Sequence, residues 1–363
     1  MKIKQLIYSL INQIKSLWLL RHYIYRFFAY KEPTFKYIIL DIKTFEKNQF
    51  AHALYLQNAG LEVYITIRMF LGMDGYVRNY FIKSGLKPIL INKNDDFILF
   101  TDLKRRLLRY KSQSIFLRYD FFNKAINDPF FAFPFHANHY LNQTNWDTEK
   151  KSDSRKIKIL FVGNTSPQYS TSSIWALNLI PRNEAIEIIQ KNFSDYVYCP
   201  DSRSALFEKI NNGELSNKIV LVIREKFSLS KQDYASVLNT SDFFLALPGI
   251  YNPISHNLTE SIHSGAIPIC QYISLYDSKL NSLCFEYKSE KELIAVIKKA
   301  LLEADQDLIT KIQSDLENYL ANQDKALGDI LNKKFNYVFM NVGKASLPEI
   351  YDYSKPRSEF NKT

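Results

Sequence analysis

The run from Ser241 to Tyr272, SDFFLALPGIYNPISHNLTESIHSGAIPICQY, holds the residues best suited to chemistry. An apolar strand runs into Pro248-Gly249, a loop follows, and Ser255-His256-Asn257 opens a helix that stops at Gly265. Where a strand gives way to a helix, the unpaired N–H groups of the first turn and the positive dipole end attract an anion. Ligands of open α/β sheets bind at that edge. Glu260, one turn further, is expected to reach past the anion toward a cis-diol such as a ribose, since a carboxylate accepts both hydroxyl protons. Taken singly, the two glycines are turn residues and Glu260 a solvated helix residue. Their order within one strand-loop-helix-strand unit is what points to a nucleotide site.

These residues resemble the exostosin-like glycosyltransferases and their bacterial polysaccharide relatives. The likeness rests on Ser241, Phe243, Leu245, Pro248, Gly249, Ser255, Glu260-Ser261, Gly265 and Ile267-Pro268-Ile269, in that order. It covers about 32 residues. Upstream, Phe161-Val162-Gly163-Asn164 supplies a matching Gly turn, and Tyr234 and Leu238 precede the motif. Pro248 and Gly249 are adjacent here rather than separated, and His256 and Asn257 stand where animal exostosins usually carry an Arg. The resemblance therefore passes the donor phosphates to Arg224 or Lys226, in Val222-Ile223-Arg224-Glu225-Lys226. Asn252, eight before Glu260, leaves only the ribose half of the paired-glutamate pattern of wider GT-B enzymes, and Ser261 ends a likeness to the T-E-K helix of fucosyltransferases. The resemblance implies an inverting, metal-independent transfer from a nucleotide-sugar, with no cofactor.

The elements needed to hold such a site are legible on both sides of it. Strands 36–41, 61–67, 88–91 and 114–119 alternate with helices 47–59, 75–84 and 101–110, with Gly60 and Gly85 as helix stops. A polar stretch, 142–156, reads as a linker. Beyond it, strands 156–162, 195–199, 218–223, 243–247 and 266–270 alternate with helices 181–192, 203–211, 231–239 and 255–264. Helices 289–303 and 306–322 and an apolar run 335–340 follow. Alternation in units of this length implies parallel sheets. The fold class is α/β: two Rossmann-like domains facing a cleft, the GT-B arrangement. Residues 34–145 form the acceptor domain, 155–330 the donor domain, and 331–363 a tail returning to the first.

An inverting transferase needs a base to take the acceptor's hydroxyl proton. Asp41, Glu46 and His52 sit at or just after the first strand's end, and Asp120 follows strand 114–119, which is expected to be central in its sheet. Asp120 is preferred slightly, although taken alone it reads as a turn cap. His136 and His139 are two of a metal set without a third ligand, so no metal site is assigned. Asp305-Gln306-Asp307 imitates a D-x-D metal motif but falls at a helix start.

Composition sets the remaining limits. With 363 residues, 46% hydrophobic and 23% charged, the chain is globular and large enough for two domains. The 15% aromatic content suits carbohydrate contacts or large cores, but an AT-rich coding genome gives the same excess and is the preferred explanation. Three cysteines without CxxC spacing fit a reduced cytosol. Sequons at Asn164 and Asn257 fall in the donor loops, where glycosylation would block them. Much of the formal net charge of +10 lies in residues 1–36, with five Lys and two Arg against Glu32. A basic tail on a nearly neutral body argues against nucleic acid as partner. Residues 1–33 carry an apolar helical stripe, Leu6, Ile7, Leu10, Ile11, Ile14, Leu17 and Trp18, too often interrupted to span a bilayer. They suit a helix in an anionic membrane interface, or one packed on the protein itself. The expected protein is cytoplasmic, bound peripherally to the inner membrane face, and glycosylates a glycan or lipid-linked acceptor of lipopolysaccharide or capsule synthesis. Alternatives are a retaining transferase, a sugar-nucleotide epimerase, or a non-catalytic glycan-binding or scaffolding relative.

Overall fold

The computed structural model describes Ile11, Ile14 and Trp18 and residues 37–340, apart from 44–46, 74, 92–95, 112–113, 120–124, 126, 132–133, 142–154, 170–178, 250–254, 272, 274–276 and 333. Glu46, Asp120, residues 142–154 of the linker 142–156 and most of the N-terminal stripe lie outside the described residues.

The chain divides into two compact units. The first is built on β1 (Tyr37–Asp41), β2 (Val63–Thr66), β3 (Lys87–Ile89), β4 (Phe97–Thr101), β5 (Ser114–Arg118) and β12 (Tyr337–Phe339), in spatial order β12-β5-β4-β1-β2-β3. All five pairings are parallel. Parallel strands are covered on both faces, so they read as continuous apolar runs. Alternate residues of β1 show this. Ile38 and Leu40 enter a core with Phe50, Phe100 and Phe131, while Tyr37 and Ile39 enter a separate one with Tyr64, Phe97 and Tyr110. Helices α1 (Lys47–Asn58), α2 (Ile67–Gly72), α3 (Gly75–Ser84), α4 (Lys104–Arg109) and α5 (Ala137–Leu141) make the connections. Gly60 and Gly85 follow α1 and α3 with φ of 79° and 73°, the left-handed conformation that ends a helix.

Two expectations need correction here. The helix expected over 101–110 is shorter, and a whole strand, β4, precedes it next to β1. β5 is not in the middle of its sheet but second from the edge, enclosed by the late strand β12.

The second unit contains β6 (Ile157–Gly163), β7 (Val197–Tyr198), β8 (Ile219–Ile223), β9 (Ser241–Leu245), β10 (Ile267–Cys270) and β11 (Phe285–Glu286), in order β11-β10-β9-β6-β8-β7. Every pairing is again parallel. Helices α6 (Arg182–Asn192), α7 (Arg203–Asn211), α8 (Lys231–Asn239) and α9 (His256–His263) connect its strands. Phe161, Phe243, Phe244 and Leu245 are wholly buried. Because the chain leaves β6 for β7 on one side and leaves β9 for β10 on the other, their adjacency makes a topological switch point, where open α/β sheets take ligands. The expected helix 289–303 divides into α10 (Glu290–Lys298) and a π turn, Lys299–Glu303. The next, α11 (Gln306–Leu331), runs nine residues beyond its expected end. Asp305 caps α11 by accepting the Leu308 N–H at 2.9 Å, which accounts for the D-x-D triplet.

Candidate donor loops and a cationic sheet edge

At the second unit's switch point, β6 ends on Gly163 and β9 runs out through Leu247-Pro248-Gly249. A Cβ at Gly163 would lie 2.6 Å from the buried Phe161 ring and 3.4 Å from Arg182 Nη1, so only glycine fits there. Arg182, the first residue of α6, is the group that organises these loops. Its guanidinium donates to the carbonyls of Asn164 at 3.0 Å, Pro248 at 3.1 Å and Leu247 at 3.4 Å, and stacks on Tyr169 with its carbon 4.1 Å from the ring centre. Burial lowers its pKa from the ordinary arginine value, so these bonds hold a charge that the interior disfavours. Arg182 therefore fastens the first candidate phosphate loop to the second across the β6/β9 junction. The Asn164 side chain meanwhile accepts the Ser166 N–H at 2.7 Å and shapes the turn.

The remaining donor candidates divide. Arg224 gives its backbone N–H to Gly163 at 2.9 Å, and its exposed side chain stands beside the loop. Lys226 is committed elsewhere, with its ammonium 2.5 Å from Asp201. Glu225, not singled out from sequence, takes the Thr165 N–H at 2.8 Å, a donor that an anion at this turn would otherwise find. Ser255 occupies the cap position of α9 with extended backbone, but its side chain makes no cap bond. Asn257 is buried. Glu260 is 1% exposed, with one oxygen accepting from the Tyr234 hydroxyl and the other facing His256 Nδ1, each at 2.9 Å. The Tyr234 phenol is pushed well above its usual pKa by burial and by that carboxylate. The exposed reach toward a ribose expected of Glu260 is thus closed, both carboxylate oxygens being occupied by Tyr234 and His256.

The first unit's switch point lies between β1 and β4. Asp41, at the end of β1, is fully buried, accepts from Thr66 Oγ1 at 2.7 Å and Arg68 Nη2 at 2.8 Å, and forms an ion pair with Arg106, whose Nε lies 2.7 Å from the second oxygen without hydrogen-bond alignment. A base must meet its substrate with an oxygen to spare, and Asp41 is enclosed by its own cations. His52 does not present itself either, being 1% exposed and packed edge-on against Phe131 with ring centres 6.2 Å apart. Asp102 was hidden in sequence by the missed strand. It follows β4 and joins neighbouring loops, accepting the Lys43 N–H at 2.8 Å and the Tyr119 hydroxyl at 3.0 Å. His136 Nδ1 accepts the Asn138 N–H at 3.2 Å, a turn bond.

What fold and geometry define is an α/β protein of two parallel-sheet units, each with a loop cluster at its switch point. No family model matches the sequence, and no curated protein does. Solved structures similar to it include a glycosyltransferase from Rickettsia africae, at 15% identity over 80% of this chain and 99% of that one, with a TM-score of 0.36. Anabaena HepE in complex with UDP is similar at 10% identity over 82% and 100%, TM-score 0.45. WaaG, a glycosyltransferase involved in lipopolysaccharide biosynthesis, is similar at 11% identity over 81% and 99%, TM-score 0.35.

Proposed function

We propose that this chain is an exostosin-like glycosyltransferase of the GT-B type. It moves a sugar, with inversion, from a nucleotide-diphosphate donor on the second unit to a hydroxyl of a glycan or glycolipid acceptor on the first. The observation that carries the reading is the pair of loops fastened by Arg182 in front of a helix start whose cap side chain makes no cap bond. Negative charge grows on the departing diphosphate, and fixed N–H groups and a helix dipole aimed there lower the barrier without reorganising. Arg224, whose backbone N–H bonds the Gly163 carbonyl, accompanies the phosphates. The ribose exchanges with His256 at Glu260.

A carboxylate bonded to a ligand contributes about 1.5–3 kcal/mol. Glu260→Ala is therefore expected to weaken UDP binding by about ten- to a hundredfold while the protein still melts cooperatively. Calorimetric titration of UDP into the folded variant decides it, and an unchanged affinity removes Glu260 from the site.

The acceptor's place is the cytoplasmic membrane face, in lipopolysaccharide or capsule synthesis. Ile11, Ile14 and Trp18, spaced along one helical face, are 44%, 59% and 62% exposed, and no described helix is long and apolar enough to cross a bilayer. With about 1 kcal/mol from each basic residue near an anionic surface, the intact chain is expected to sediment with phosphatidylserine vesicles in low salt. A chain beginning at Phe35 is expected to stay in the supernatant. Equal sedimentation of both sinks the membrane assignment.

A further inference from the structure

At the C-terminal edge of the first sheet, Asp41 serves two arginines at once. Arg68 places Nε at 3.0 Å and Nη2 at 2.8 Å on one carboxylate oxygen and also donates to the Ile42 carbonyl, while Arg106 places Nε on the other oxygen. One negative charge thus holds two positive ones, and Thr66 locks the carboxylate from a third side. Both guanidinium groups keep donors in reserve: Nη1 of Arg68 and both Nη atoms of Arg106 have no partner among the described residues. Their side chains are 39% and 20% exposed. Lys43 follows β1 at the same edge, and its backbone N–H is taken by Asp102. Two arginines therefore share one carboxylate at the topological position where an open sheet takes its ligand.

Guanidinium groups fixed in orientation match the paired oxygens of phosphate or carboxylate, and pinning them in advance removes the entropy cost of arranging them on binding. We propose that Arg68 and Arg106, clamped on Asp41, form an oxyanion site that takes a phosphoryl or carboxylate group of the acceptor. Only the word acceptor rests on the glycosyltransferase reading; the anion site does not.

The test titrates inorganic phosphate, and separately malonate, into the full-length protein already saturated with UDP, which keeps phosphate out of the donor loops. The Nε–H signals of Arg68 and Arg106 are followed by NMR in arginine-labelled protein. Saturable shifts of both signals are expected with phosphate. Response to phosphate alone identifies a phosphoryl group, and response to malonate as well extends the site to carboxylates. Arg68→Gln is expected to weaken phosphate binding by about tenfold, the loss of one charge-assisted contact. Lys104→Gln, an exposed change on the same helix as Arg106, leaves binding unchanged. If Arg68→Gln folds poorly, Arg68→Lys, which keeps the charge and loses the fork, replaces it with the same expected direction. Absence of a saturable shift at either arginine, or equal affinity in the Arg68 variant and the Lys104 variant, overturns the proposal. Failure of UDP to bind at the outset counts against the donor reading and leaves the phosphate titration interpretable.

Discussion

Replacing Arg182 by alanine is expected to lower the stability of the second unit by about 2–4 kcal/mol and to abolish measurable nucleotide binding. The variant strands three carbonyl acceptors, those of Asn164, Leu247 and Pro248, in loops packed over the sheet. A buried acceptor left without its donor costs about 1–3 kcal/mol. The sum stays below three full penalties because the loops relax and because desolvation of the guanidinium, the cause of its lowered pKa, disappears with the side chain. In a unit of this size that corresponds to a melting shift of roughly 5–15 °C. Arg182→Lys is not a rescue, since one ammonium cannot span three carbonyls on two loops. Calorimetric melting with and without UDP checks both parts. A variant that melts like the parent and still binds UDP would falsify the fastening role.

Asp41→Asn separates two readings of one carboxylate. As the clamp of Arg68 and Arg106, Asp41 should lose about 2–3 kcal/mol on neutralisation, less than the roughly 3–5 typical of a fully buried pair because both arginines keep contact with water. The first unit then melts roughly 5–10 °C lower. As the catalytic base it would instead lose about 10²–10⁴ in rate with its melting unchanged. The buried, cation-enclosed geometry favours the first outcome. Under the proposed inverting transfer the base is then to be sought at Glu46 or Asp120, and a rate loss with intact UDP affinity in Glu46→Gln or Asp120→Asn tells which. Unchanged melting of Asp41→Asn together with lost turnover would return the role to Asp41.

Much of the architecture was open to a reader of the sequence, because parallel strands announce themselves as continuous apolar runs and glycine ends helices at 60, 85 and 265. β4 escaped because FILFT runs directly into TDLKRRLLR, whose spacing suits a helix from Thr101 onward, and the start of that helix was placed on the strand's last residue. Asp102 went unread with it. The donor loops were visible as Gly163-Asn164 and Pro248-Gly249, yet the residue that joins them was not. Arg182 meets carbonyls 18, 65 and 66 positions away, and no periodicity encodes such contacts. Asp41 was noticed for its charge, but its partners lie 27 and 65 positions on, so its enclosure became apparent only in three dimensions.

The last strand of the first sheet has a consequence for synthesis. Tyr337 bonds Asp128 from 209 positions away, and β12 shields β5 only after every strand of the second unit has been translated. At about 5–20 residues per second, β5 waits on the ribosome for roughly 10–40 s with an open hydrogen-bonding edge. The later unit therefore has its full complement of strands before the earlier one, so the usual N-terminal-first order of maturation is reversed. The nascent first unit spends that interval as the species most in need of a chaperone.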